Sequence, residues 1–284
     1  MIKFAAFADE ADSALEGQIA ALKRNNIEYI ELRGIYEKNI SEVSLEEAEA
    51  YAEMLSKENI KVWSIGSPIG KIKISEYGEE HKNKLRHICK LAKIFGTDKI
   101  RMFSFFEAYE NEDKVFSALS EMRDIAQSFG VGLYHENEKE IYGDTLERVL
   151  KIMKNVDGLH YVYDPANFVD VEEDASRALE ALYATTDYFH IKDVIADTHE
   201  LVPAGYGDGR IDSLVSMISE SEDKVLTLEP HLAIFQGYAQ IDSTEMKNKF
   251  HFDSNNDAFD AAANALKKIL IAQGYKETKG GYVK

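Results

Sequence analysis

Cysteine is nearly absent: Cys89 is the one thiol in 284 residues, so no internal disulfide can form and a reducing compartment is expected. It falls in a helical pattern, which points to a buried apolar thiol rather than a nucleophile. Basic residues are scarce beside acidic ones, 33 against 51, for a formal net charge of −18. That field repels phosphate backbones and anionic membranes, so it argues against nucleic-acid and membrane partners. It also disfavours a highly charged substrate unless a metal or local Lys and Arg offset it. No run approaches the ~18 apolar residues of a membrane span. Met1-Ile-Lys-Phe4 enters a strand-like run with no basic leader or cleavage site. These absences point to a soluble cytoplasmic protein, although a processed secreted chain would read the same. There is no Gly-x-Gly-x-x-Gly after the first strand, no low-complexity linker and no shift in composition along the chain.

What is present is a repeating pattern in a chain that is 45% apolar, ample for a full core. Short apolar runs at 2–8, 29–33, 60–64 and 99–105 read as strands. Runs with helical spacing follow them at 13–25, 44–57, 79–95 and 113–129. Ser44 with Glu47 forms a capping box, and Gly96 and Gly130 close the third and fourth helices. Four more strands follow, with helical runs at 145–155, 172–183, 211–221 and 256–273. Eight β-then-α units imply a parallel sheet covered on both faces. At this length they predict an α/β fold, a single-domain (β/α)₈ TIM barrel over residues 1–284, with its site at the C-terminal strand ends. A doubly wound open sheet is the competing architecture. The polar, glycine-containing stretch 275–284 is expected to fray.

The last four strands all stop at a metal-binding residue type. Leu133-Tyr-His-Glu136 stops at Glu136, and Tyr161-Val-Tyr-Asp164 at Asp164 before Pro165. Tyr188-Phe-His190 stops at His190, and Val225-Leu-Thr-Leu-Glu229 at Glu229 before Pro230. Three carboxylates and an imidazole suit a divalent ion (Mn²⁺, Mg²⁺, Co²⁺ or Zn²⁺) and would leave positions open for a substrate. A residue before proline is pushed towards extended backbone, which would hold Asp164 and Glu229 at their strand ends. The alternative for each acid is helix capping. An intervening loop is expected to weaken it for Asp164 and Glu229. For His190 alone, a structural role is the default.

"HEN" at Glu136, "YDPANF" at Asp164, "FHIKD" at His190 and "LEPH" at Glu229 resemble the xylose isomerase-like barrel superfamily of sugar phosphate isomerases and epimerases. "SIGSPIGK" and "YIELRG" also look like that group. The resemblance implies that Glu136, Asp164, His190 and Glu229 bind the metal, and that Glu136 and Glu229 double as the catalytic acid–base pair. It implies a sugar or sugar phosphate substrate, carried through a metal-stabilised enediolate by an isomerase or epimerase. A dehydratase or lyase of a keto-sugar or inosose would use the same chemistry. An abasic-site endonuclease-like hydrolase and a non-catalytic sugar-binding subunit are further alternatives. Two positions depart from the ketose 3-epimerase pattern. Asn167 stands where those enzymes carry histidine, and Asp193 to Glu200 contains no arginine.

Substrate contacts are expected from Arg33, Lys71, Asn167, Lys192 and His231. Arg33 shares a strand face with Glu31, so a structural ion pair is an equal alternative. For Lys71 a solvated loop residue is the favoured alternative, and Lys192 needs an acidic partner if buried. His231 shares the face of Glu229 only if extension continues through Pro230. His135 should point away from Glu136, towards the helices. Trp63 is core or, at a strand end, a sugar-stacking platform. The loop 203–210 offers three glycine N–H groups and Arg210 to a phosphate, or is simply a lid or turn. Exposed aromatics from Leu232 to Ser254 (Phe235, Tyr238, Phe250, Phe252) suggest a lid or a subunit contact in a homo-oligomer.

Overall fold

Eight apolar runs become eight parallel strands: β1 Ile2–Ala6, β2 Tyr29–Leu32, β3 Lys61–Gly66, β4 Lys99–Met102, β5 Gly132–Glu136, β6 His160–Tyr163, β7 Tyr188–Ile191 and β8 Lys224–Leu228. A computed structural model describes residues 1–219, 222–235 and 250–284. Each strand pairs with the next, and β8 closes on β1 with Ile2 opposite Lys224 and Ala6 opposite Leu228. The sheet is therefore a barrel, and the open-sheet alternative falls. Helices on its outside are α1 Leu15–Arg24, α2 Leu45–Lys57, α3 Glu79–Ile94, α4 Glu112–Ser128, α5 Leu146–Asn155, α6 Pro165–Asp170, α7 Ala175–Leu182, α8 Ile211–Met217 and α9 Asn255–Ala272. Among the described residues no helix is long and apolar enough to cross a membrane.

Alternation along the strands sorts side chains into two sets. Phe4, Ile30, Leu32, Ile100, Leu133, Phe189 and Leu226 face outward into the main core beneath the helices. Cys89 of α3 is buried in that core, as a structural thiol should be. Ala5, Tyr134, Val162, Tyr188 and Val225 face inward, with Tyr29 and Trp63 against them, and form the barrel floor. Trp63 meets Tyr29 and Tyr188 edge-on, with centroids 6.1 and 5.7 Å away. It is part of the floor, and the sugar-platform alternative is lost because β3 continues three residues beyond it.

Helix chemistry follows the sequence where the signal is local. The Ser44–Glu47 capping box opens α2. Where the chain turns tightly, reading by periodicity overshoots. The first strand ends at Ala6, and Ala8–Glu10 form a 3-10 turn. The short α6 after Asp164 was not anticipated, because Pro165 opens it where periodicity is too brief to register.

The C-terminal stretch does not fray. Residues Lys276–Thr278 (β9) and Gly281–Val283 (β10) form a hairpin, and β10 pairs antiparallel with β1 at Ile2. The pairing is available because β2 joins β1 only at Ala5 and Ala6, leaving the lower end of β1 open on that side. Tyr282 is buried and stacks on Phe4 with ring centroids 4.9 Å apart. A polar, glycine-containing composition hid two buried anchors, Tyr282 and Tyr275, the latter donating to Ile218 O at 3.0 Å. Tyr282→Ala should cost about 3 kcal/mol of stability, read as a lowered urea midpoint. An unchanged midpoint would mean that the hairpin contributes nothing.

His81 of α3 is buried, and its Nε2 accepts the Gly70 N–H at 3.1 Å. Burial, aided by Lys84, pushes its pKa down to about 4. The folded-state value lies below the unfolded one near 6.5, so stability from this group is complete above pH 6.5. It is lost as the pH falls towards 4, because only the unfolded chain binds the proton. His81→Gln should therefore remove a slope of about 1.4 kcal/mol per pH unit between pH 6 and 5. Parallel pH dependence of urea midpoints in both proteins would refute this.

Candidate metal and proton-transfer site

Inward-facing positions change character above the floor. Glu31 on β2, Arg101 on β4, Glu136 ending β5 and His190 on β7 are all buried. Asp164 and Glu229 follow β6 and β8 directly. One ligand atom each from Glu136, Asp164, His190 and Glu229 lies within 4.8 Å of the others. His190 Nδ1 stands 3.0 Å from Glu136 Oε1 and 2.9 Å from Glu229 Oε2. The fourfold convergence expected from the strand ends is therefore present in the fold.

The cluster has the electrostatics of a cation site. Burial alone would lower the His190 pKa, but Glu136, Glu31 and Glu229 outweigh it and hold it well above the ordinary value. Asp164 is pushed up to about 7 by burial and by Glu136 and Glu229, with Lys192 and His190 opposing. Two carboxylate oxygens, Asp164 Oδ2 and Glu229 Oε2, are buried without an aligned hydrogen bond. Each has a cation close by, Lys192 Nζ at 2.9 Å and His190 Nδ1 at 2.9 Å, but off the hydrogen-bonding axis. Buried acceptors without donors are costly, so this donor set fits a divalent ion of the carboxylate-and-imidazole type.

Asp164 serves two purposes. No loop separates it from a helix: its Oδ1 caps α6, accepting from Ala166 N at 2.8 Å and Asn167 N at 3.2 Å. The other oxygen remains directed at the cluster. Capping and metal binding were set against each other from sequence, whereas capping takes up only one oxygen and leaves Oδ2, 2.9 Å from Lys192 Nζ, on the cluster side.

The five expected contact residues all lie at the mouth, and each has internal partners. Arg33 donates to Asp9 at 2.9 and 3.0 Å, to Glu10 at 3.1 Å and to Glu229 at 2.9 Å. Lys71 is half-buried rather than solvated and pairs with Glu138 at 3.0 Å. Lys192 Nζ donates to Asn167 Oδ1 at 2.8 Å, and Asn167 Nδ2 donates to Asn137 O at 2.9 Å. His231 adopts φ +45°, so extension does not continue through Pro230, yet its Nε2 still lies 3.4 Å from Glu229 Oε1. His135 turns outward as expected, with Nε2 2.9 Å from Ser104 Oγ.

Glu31, expected at the mouth beside Arg33, does face it but pairs with His190, whereas Arg101, Asp9, Glu10 and Glu138 were not singled out as functional from sequence. Glu31 Oε2 lies 3.3 Å from His190 Nε2, and its other oxygen accepts from Tyr188 OH at 2.9 Å. With Nε2 facing a carboxylate, Nδ1 is the ring nitrogen turned to the cluster. Arg101 Nε is 3.1 Å from Glu136 Oε2. The alternation Lys99-Ile-Arg101-Met was the available signal, since it places Arg101 on the inward face. Asp9, Glu10 and Glu138 carry no periodicity, because they sit just beyond strand ends.

A cavity of about 30 Å³ at the mouth is lined by Arg33, Lys71, Arg101, Glu136, Glu138 and Glu229, among others. A groove of about 590 Å³ lies at the opposite end, around Tyr29, Trp63 and Lys99. It is larger, but its lining has no carboxylate–imidazole grouping like the one at the mouth. Of the four aromatics expected in a lid or subunit contact, Tyr238 lies outside the described residues, and Phe250 and Phe252 are half-buried and stack on each other with centroids 6.4 Å apart. Phe235 is buried rather than exposed, with the Arg33 guanidinium 4.7 Å from its ring centre.

The glycine loop after β7 is not arranged for phosphate. Asp193 accepts the N–H groups of Gly205, Gly207 and Gly209 at 2.8, 3.1 and 2.9 Å, and that of Val194 at 3.0 Å. The anion that the loop cradles is a carboxylate of the chain itself. Arg210 is exposed and takes no part in that cradle. A Cβ on Gly207 would lie 2.4 Å from Asp193 Oδ1, so glycine is required there. Asp193→Asn would turn an NH₂ towards backbone donors. It should cost about 2 kcal/mol and open the 203–210 loop to proteolysis; unchanged stability and cleavage would count against this account.

Comparison with known proteins places this geometry in context. No curated protein matches by sequence. In structure the chain is similar to the probable 3-DHS dehydratase AsbF of Bacillus anthracis, at 17% identity and TM-score 0.71, covering 96% of this chain and 99% of that one. It is similar to the D-allulose 3-epimerase of a Methylomonas species in complex with D-allulose, at 16% identity and TM-score 0.71, with 96% and 97% covered. A Mycobacterium smegmatis barrel protein in complex with magnesium matches at 14% identity and TM-score 0.67, with 95% and 97% covered. At such identities the likeness is one of fold. The family model described as a xylose isomerase-like TIM barrel matches residues 19–269. A barrel closed by eight parallel strands, matched over most of its length by that model, belongs to the xylose isomerase-like TIM barrel family.

Proposed function

We propose that this protein is a divalent-metal-dependent isomerase or epimerase of a sugar, acting by proton transfer at the carbon next to a carbonyl. The observation that carries the reading is the convergence of Glu136, Asp164, His190 and Glu229, two of whose buried oxygens lack an aligned donor. These four residues would hold the ion. When bound, a divalent ion supplies Lewis-acid polarisation of the substrate carbonyl and its neighbouring hydroxyl.

The chain's own groups supply the rest. Glu136 and Glu229 approach His190 Nδ1 from β5 and β8, which are separated by β6 and β7. A carboxylate on one side of the substrate removes the carbon-bound proton, leaving an enediolate. The other carboxylate returns a proton to the opposite face, and the carbon is inverted. Arg101 holds Glu136, and Arg33 holds Glu229, at set positions.

Dehydration is the second reading, favoured by Lys192. This buried ammonium, 2.9 Å from Asp164 Oδ2 and bound to Asn167, could deliver a proton to a departing hydroxide. Asn167 in place of histidine also moves the site away from the ketose 3-epimerase pattern.

The purified protein should contain a divalent ion and should exchange solvent deuterium into at least one compound in a panel of ketoses and inososes. Glu136→Gln and Glu229→Gln should keep the fold and slow exchange by about 10²–10⁴-fold. Full exchange in both variants would sink the proposal. Product analysis decides between epimer and dehydrated product.

A further inference from the structure

Resting on that reading, we infer that Asn137 is a positioning residue for the metal site: its side chain fixes Asp164 against Glu136 before any ion binds. The two strands that deliver these acids stop pairing early. The register of β5 with β6 runs from Tyr134 opposite His160 to Glu136 opposite Val162. Asp164 stands two residues past Val162, beyond that register. Asn137 takes over there with its amide. Its Nδ2 donates to Asp164 O at 2.8 Å, and its Oδ1 accepts the Asp164 N–H at 2.9 Å. One planar group thus satisfies both backbone groups of a fully buried residue. Asn137 is buried as well, so water does not compete for either bond.

Asn137 is itself held, in a ring that closes on Asp164. Its carbonyl accepts from Asn167 Nδ2 at 2.9 Å, and Asn167 Oδ1 accepts from Lys192 Nζ at 2.8 Å. Lys192 Nζ in turn lies 2.9 Å from Asp164 Oδ2. The α6 cap fixes Asp164 Oδ1. The other three cluster residues are braced through their side chains, by Arg101 at Glu136, Arg33 at Glu229 and Glu31 at His190. Asp164 is braced through its backbone too, and the brace comes from the residue next to Glu136. A rigid tie between neighbours of two ligands sets their separation, which is what outer partners of a metal site contribute to affinity.

The test is equilibrium titration of the metal-free full chain with Mn²⁺, together with the visible absorption spectrum of the Co²⁺-loaded protein, which reports ligand geometry. Asn137→Leu keeps the side-chain volume and removes both hydrogen bonds. It should weaken Mn²⁺ binding by about 10–100-fold and change the Co²⁺ spectrum. Asn137→Ala carries the same expectation should the leucine variant fail to fold. In the wild-type protein the Asp164 amide should be protected from hydrogen exchange with no ion present, because its acceptor is already in place. Unchanged Mn²⁺ affinity, an unchanged Co²⁺ spectrum or an unprotected Asp164 amide would overturn this inference alone, even if the urea midpoint falls. Wild-type protein that binds neither ion would overturn the metal reading together with it.

Discussion

A carboxylate removed from water must find a positive partner or a proton, and seven of them at one end of a barrel set the terms for everything nearby. Arginine 33 forks between Asp9 and Glu10 and still reaches Glu229. The His190 pKa is held well above its ordinary value by three carboxylates that outweigh its burial. Even so, oxygens of Asp164 and Glu229 are left without aligned donors. A fold tolerates that arrangement where the missing partner is a ligand. The excess of negative charge is thus the cost of the site, and it is what a cation there would offset.

The barrel makes this concentration of charge affordable by separating it from the apolar layers. Inward side chains at the lower level are Ala5, Val162, Val225 and the aromatic rings around Trp63 and Tyr188. One strand repeat higher they become Glu31, Arg101, Glu136 and His190. The period-two geometry keeps both levels on the same inner face, while the outward set packs under the helices. Tyr188 joins the levels: its ring belongs to the floor, and its hydroxyl donates to Glu31. Stability and chemistry therefore share strands but not layers.

Loops above the strands are held by the same kind of contact. Asp193 gathers three glycines of the loop after β7, and Glu10 accepts the backbone N–H of His231 at 2.7 Å. Asp164 caps α6 with one oxygen and keeps the other for the cluster. Acids that look interchangeable in the sequence thus do three different things: join the buried cluster, brace a loop or start a helix. Which one depends on the donors within 3 Å, and those come from distant segments.

Periodicity and strand-end chemistry by themselves determined the eight-unit barrel, the buried role of Cys89, the Ser44–Glu47 capping box and the four converging residues. Those features are legible because each is local: alternation, spacing or one residue type at a strand end. Only the tertiary structure decided that the 276–283 hairpin is anchored by Tyr282 on Phe4, that Trp63 is floor, and that the glycine loop serves Asp193. It alone brought Glu31 to His190, Arg101 to Glu136 and Glu138 to Lys71. These pairs join residues 159, 35 and 67 positions apart, and no local pattern encodes a partner at that distance. Barrel closure supplies the partner, because it turns the order of strands along the chain into neighbours around a ring.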